Sequence, residues 1–141
     1  MVFDVFVTFN GNCKEAVGYY AEIFEQEIPK MMTFGDAPAS EGYEIKEEDK
    51  DKVCYTELKI GSNTVMFSDC DSSMEFIAGN NVTLAIGSDD EDETQKLYNK
   101  LKEGGQVIME LQETFWSKLY GMVQDKFGIM WQICISSGWK M

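Results

Sequence analysis

The chain reads as an α+β protein built from two β-α-β-β-β repeats whose strands form a curled mixed sheet. Two observations predict this. The order strand, helix, three strands occurs twice, and each helix opens on polar capping text and closes on a breaker. At 141 residues with 44% apolar side chains, one core suffices without a disulfide or metal staple. The expected organisation is a single domain, 1–141, made of repeats at about 1–70 and 76–136.

Each element follows from local text. Residues 2–9 are rich in β-branched and aromatic types and predict a strand, broken by Asn10-Gly11. Asn12 is the expected cap of a helix over 12–26, with Glu15 as the acid of a capping box. Ala16, Tyr20, Ile23 and Phe24 fall at helical spacing. Pro29 closes this region and Lys30–Phe34 restart as a strand. Strands over 53–60 and 64–69 flank Gly61-Ser62-Asn63, which has hairpin-turn chemistry.

The second copy begins with a strand at Val82–Ile86, and Ser88 with Glu91 suggests another capping box. Leu97, Tyr98 and Leu101 give its helix an apolar stripe that Gly104-Gly105 ends. Strands at about 106–113, 116–124 and 129–135 complete the unit, with Asp125–Gly128 turning the last pair. The first copy is longer, its excess being Gly35–Asp51, where Glu41 to Asp51 is densely acidic and reads as an exposed loop. Helices covering one face of each sheet leave the other faces to line a shared cavity, the default place for a ligand.

Composition excludes several chemistries. Twelve Lys, no Arg and no His stand against 25 acidic residues, a formal charge of −13. Phosphate neutralisation needs clustered cations, so neither nucleic acid nor an anionic membrane is an expected partner. Without imidazole there is no Ser-His-Asp or Cys-His dyad and no zinc site with His ligands. Without guanidinium there is no bidentate clamp for carboxylate or phosphate. No apolar run reaches the length of a membrane span and the N-terminus lacks signal-peptide text, so a cytoplasmic location is expected. Cys13, Cys54, Cys70 and Cys134 form no C-x-x-C pair and read as reduced, mostly buried thiols. Cys13, at a helix start, is the one with a potentially reactive setting.

Five blocks of text carry a resemblance. They are Phe9-Asn10-Gly11-Asn12-Cys13-x-x-Ala16-x-x-Tyr19-Tyr20, Phe34-Gly35-Asp36-x-Pro38, Ser68-Asp69, Gln112-Glu113-Thr114-Phe115-Trp116 and Asp125-Lys126-Phe127-Gly128-x-x-Trp131. In this order they resemble PhnB-like proteins of the vicinal oxygen chelate superfamily, which includes glyoxalase I, extradiol dioxygenases and fosfomycin-resistance proteins. The domain is also labelled 3-demethylubiquinone methyltransferase-like. The resemblance implies the glyoxalase/bleomycin resistance/dihydroxybiphenyl dioxygenase fold. Methyl transfer is not expected, because no G-x-G turn opens a helix and the strand order is not that of a parallel α/β sheet.

Metal-dependent relatives take ligands from the first strand of each unit and from cavity-facing strands. By the resemblance those positions fall at Val5, about Asn81, Gln132 and, more loosely, Tyr55 or Glu57. This set has almost nothing for a borderline divalent ion to bind, so no metal and no cofactor are expected.

The ligand-binding candidates are Phe34 and Tyr55 from the first copy and Glu113, Trp116 and Gln132 from the second. Glu113 is also the candidate acid or base, against a role as an exposed turn acid. Trp116 and Trp131 form either an aromatic wall or core. Met31, Met32 and Met66, with Phe34 and Phe67, form either a soft pocket lining or core. Asp69 reads as a turn or cap residue, and the acidic run Asp89–Glu93 as a solvated helix start.

Two classes of function follow. One is a metal-free small-molecule binding protein, taking a neutral or cationic ligand and assembling as a homodimer that covers open sheet faces. The other is a lyase or isomerase using a hard divalent cation on oxygen ligands such as Glu57, Glu113 and Gln132.

Overall fold

The computed structural model describes residues 1–38 and 44–135. The chain divides into two compact units, Met1–Ile77 and Ala78–Met141. The first contains β1 (Val5–Phe9), α1 (Cys13–Ile23), β2 (Met32–Thr33), β3 (Val53–Ile60) and β4 (Asn63–Asp69), with a short 3-10 turn at Glu47–Asp49. The second contains β5 (Leu84–Ser88), α2 (Glu91–Lys102), β6 (Gln106–Gln112), β7 (Tyr120–Gln124) and β8 (Met130–Ile135). Each unit is the expected β-α-β-β-β repeat. Its sheet is mixed, in the order β1-β4-β3-β2 or β5-β8-β7-β6. The first strand runs parallel to the last, and the others pair antiparallel.

The strands are shorter than the text suggests. β1 starts at Val5, leaving Val2 and Phe3 exposed, and β2 is only two residues long. The expected strand over 116–124 begins at Tyr120, because Thr114 and Ser117 close a turn by reciprocal hydrogen bonds. The middle of the segment Gly35–Asp51, residues 39–43, lies outside the described residues, as does residue 136 at the end of the second repeat. Its later part is described: Asp49 is buried, accepting from Lys52 and from the backbone N–H and hydroxyl of Ser72. That ties the 3-10 turn to the chain beyond β4.

Period-two alternation gives each sheet a helix-covered face. In β3, Thr56, Leu58 and Ile60 are buried while Tyr55, Glu57 and Lys59 are exposed. Phe67 of β4 stacks on Phe9 and on Tyr20 of α1, at ring centroid distances of 6.2 and 5.9 Å. In the second unit Leu97, Tyr98 and Leu101 bury one stripe of α2, which packs on β7 and β8. Trp131, Ile133 and Val123 are fully buried beneath it.

Neither expected capping box forms as written. Asn12 occupies the cap position of α1 without a side-chain hydrogen bond. The capping is done from β4: Asp69 Oδ1 accepts from the N–H groups of Gly11 and Cys13, both at 2.9 Å, and Oδ2 accepts from Val53 N–H at 3.0 Å. In α2 the cap is Asp90, which accepts from Asp92 and Glu93 N–H, while Ser88 bonds to the Glu93 carboxylate rather than to Glu91. A carboxylate available at a better distance displaced the residue that spacing alone favoured. Among the described residues, no helix is long and apolar enough to cross a membrane.

Candidate functional site

The two units expose different sheet faces. On the first, β-register places Phe6, Met66 and Glu57 in one row, with Met32 opposite Tyr55 and Lys59 opposite Thr64. Tyr55 donates to Glu57 Oε2 at 2.9 Å, and Phe6 lies 6.4 Å from the Tyr55 ring. The carboxylate at its hydroxyl raises the Tyr55 pKa, with smaller contributions from desolvation and charge. This face carries both a carboxylate and an ammonium. Of the methionine-rich lining candidates, Met32 and Met66 lie on it, whereas Phe67 is core on the helix side.

Among the described residues, the corresponding face of the second unit carries no formally charged side chain. Register puts Gln106 opposite Gln124, Met109 opposite Met122 and Gln112 opposite Tyr120. On the other side of β7, Tyr120 faces Cys134, Met122 faces Gln132 and Gln124 faces Met130. The small residues Ala85 and Gly87 of β5 continue the same face beside Gln132 and Cys134. In a chain that is 26% charged, a face of methionine, glutamine and small residues offers apolar and amide contacts rather than ion pairs.

A polar relay crosses this face. Tyr120 Oη donates to Gln132 Oε1 at 2.8 Å, and Gln132 Nε2 donates to Thr83 Oγ1 at 2.7 Å. The Trp116 indole packs edge-on against the Tyr120 ring at 5.3 Å and remains 40% exposed. Phe115 beside it is 98% exposed, its ring edge-on to Trp116 at 4.6 Å. Burial raises the Tyr120 pKa, aided by the nearby Cys134 thiol, which burial itself pushes up to about 11. Both groups are neutral near pH 7.

Trp116 and Gln132 are therefore joined through Tyr120. Glu113 is exposed in the same β6–β7 loop, where its charge adds to the dominant effect of Glu91 in raising the Lys118 pKa. Phe34 and Tyr55 belong to the first unit. Phe34 is half-buried just after β2, its N–H donating to Lys52 carbonyl oxygen at 3.0 Å. Trp131 is core rather than wall: it is 2% exposed, and its indole N–H donates to Asp125 at 2.8 Å. Tyr120 and Thr83 were not singled out from sequence. The alternation Tyr120-x-Met122-x-Gln124 against Met130-x-Gln132-x-Cys134 is the signal that would have found Tyr120; Thr83, just before β5, has none.

Two other places carry no comparable chemistry. Cys13 is fully buried, and burial followed by the charge of Asp69 pushes its thiol up to about 12, so the helix start does not activate it. A hollow lined by Glu44, Lys46, Asp49, Ser72 and Ser73 has a volume of about 40 Å³, room for water rather than for a ligand.

Paired β-α-β-β-β units define the glyoxalase, or vicinal oxygen chelate, class of folds. Fosfomycin resistance protein FosX from Listeria monocytogenes shares the fold with a TM-score of 0.56 and 9% identity, over 94% of this chain and 87% of its own. Within that class, residues 2–134 match the family described as 3-demethylubiquinone-9 3-methyltransferase, and the chain belongs to this PhnB-like family. Protein PA1353 from Pseudomonas aeruginosa is 31% identical, with a TM-score of 0.82 over 96% of this chain and 97% of that one. A putative 3-demethylubiquinone-9 3-methyltransferase, PhnB protein, from Bacillus cereus is 22% identical, with a TM-score of 0.74 over 96% and 100%. Protein YjdN from Escherichia coli is 28% identical over 91% of this chain and 90% of its own length.

The superfamily's metal does not fit the residues present. Val5 pairs with Val65 on the α1-covered side of its sheet, and the neighbouring residues on the other face are Phe6 and Thr8. Asn81 is exposed ahead of β5. Gln132 offers only a neutral amide oxygen that already accepts from Tyr120, and Glu57 accepts from Tyr55. Among the described residues no group of three or more His, Cys, Asp or Glu is arranged to hold a metal ion. An aliphatic residue and two amides are a poor set for a borderline divalent ion.

Proposed function

We propose that this protein is a metal-free small-molecule binding protein whose ligand seats on the uncharged face of the second unit. The observation that carries this reading is the relay Tyr120–Gln132–Thr83 beside the exposed indole of Trp116. Hydrogen bonding then sets orientation and aromatic and thioether contact supplies affinity. The family's descriptive label does not extend to methyl transfer here. Both sheets are mixed rather than parallel, and no glycine-rich turn joins a strand to either helix.

A small-molecule screen read by tryptophan emission tests the proposal. Binding is expected to change the emission, and Trp116→Phe to weaken the change without unfolding the protein; hits unaffected by that substitution would move the site elsewhere. Tyr55→Phe and Phe34→Leu report whether residues of the first unit share the ligand. Elemental analysis of untagged protein is expected to give well under one equivalent of zinc, nickel, iron or manganese. A stoichiometric side-chain-bound metal would instead favour the lyase or isomerase reading. The proposal includes a homodimer, supported by Phe6 and Met32, 50% and 45% exposed on the first unit's open face.

A further inference from the structure

Resting on that site, we infer that the ligand is a neutral, planar molecule carrying a hydrogen-bond donor and acceptor side by side, as in a lactam or pyridone. The Gln132 amide has two N–H donors and two acceptor lone pairs. Tyr120 occupies one lone pair, and Thr83 receives one N–H. These two bonds fix which end of the amide is oxygen and hold its plane. One donor and one acceptor of Gln132 remain beyond them, and their complement is another amide edge.

The surroundings select the rest of the molecule. Gln132 is flanked in register by Ala85 and Met122, one too small to obstruct a ring and the other a polarisable surface for it. The Trp116 indole supplies an aromatic edge or face. A cation meets no carboxylate on the strands of this face among the described residues: Glu110, the acid on neighbouring β6, bonds instead to Tyr98 of α2 on the helix-covered side, and Glu113 is an exposed loop acid beside Lys118. An anion meets no cation among the described residues of this face and a protein of charge −13.

The test uses four probes on the full chain: 2-pyridone, N-methyl-2-pyridone, benzylammonium and benzoate, followed by amide and indole NMR shifts. The expected result is that 2-pyridone shifts the Gln132 side-chain and Trp116 indole signals. N-methyl-2-pyridone, lacking the donor, should bind about tenfold more weakly. Gln132→Met should weaken 2-pyridone by at least that factor and the methylated probe, which retains only its carbonyl acceptor, by less. Where Gln132→Met fails to fold, Thr83→Val decides, because releasing Nε2 frees the amide edge to rotate and should also weaken 2-pyridone selectively. Equal binding of both pyridones, or tighter binding of either ion at the same signals, would overturn the lactam class while the site stands. If no probe shifts Trp116 or Gln132, the lactam class is overturned; if the wider screen also leaves Trp116 silent, the site falls with it.

Discussion

Asp69 caps α1 and ties it to β3 with one carboxylate. It is 3% exposed and receives three N–H groups, two from the start of α1 and one from β3. Asp69→Asn keeps the shape but turns an N–H toward an N–H donor, so it is expected to destabilise the fold by about 1–3 kcal/mol in denaturant melts. Asp49 behaves differently because its carboxylate is charge-paired. Its hydrogen bonds from Lys52 and Ser72 lower its pKa to about 2 from 3.8. A depressed folded pKa means the contribution is present above pH about 4 and is lost as pH falls toward about 2. Acid titration of stability should show that loss, and Asp49→Asn should abolish the Asp49 part of it. Cys13 gives the opposite window. Its folded pKa near 12 against an ordinary 9.0 means the unfolded chain releases its proton first. Stability should therefore decline above pH about 9, and less so in Cys13→Ala.

At the scale of elements, the ends of α1 hold a cost that can be relieved. Gln26 N–H bonds to Ala21 carbonyl oxygen and Glu25 N–H to that of Glu22, a Schellman ending in which Glu25 adopts φ 54°. A side chain is strained in that left-handed conformation. Glu25→Gly is expected to raise stability by about 0.5–1 kcal/mol in thermal or urea unfolding. Gly105 shows the reverse constraint in the β6–β7 pair. A Cβ there would lie 2.1 Å from the Gln124 carbonyl oxygen, so Gly105→Ala should cost about 3 kcal/mol or more by forcing the hairpin apart.

For the whole molecule, the prediction concerns assembly. Two copies of a chain carrying −13 repel each other. The exposed Phe6 and Met32 of the first unit's open face nevertheless favour association, so light scattering is expected to give twice the 16.1 kDa chain mass at physiological salt, with dissociation favoured as salt is lowered and the repulsion is less screened. Phe6→Asp should shift the mass toward one chain without altering thermal stability of the monomer; a mass near one chain for the unaltered protein at micromolar concentration would count against the dimer.

Both β-α-β-β-β repeats, the hairpin that closes each and the family membership were legible in the sequence, because alternation, helical stripes and turn residues are local signals that tertiary packing reinforced; the parallel pairing of first strand with last was not. The roles of Trp116 and Gln132 as neighbours were only half legible. Spacing put Gln132 on the right strand but Trp116 in a strand that begins only at Tyr120; the link between them is Tyr120, and register alone places that hydroxyl 2.8 Å from the amide. Trp131 and Asp69 show the same division. The text marks an aromatic in a strand and an acid at a strand end, yet cannot say that one is sealed under α2 and the other caps α1 from 56 residues away. Burial and long-range hydrogen bonds are properties of the folded arrangement. The sequence by itself determined the repeat and the absence of cationic clamps and imidazole; the tertiary structure decided which face of the second sheet is uncharged, and which side chains meet on it.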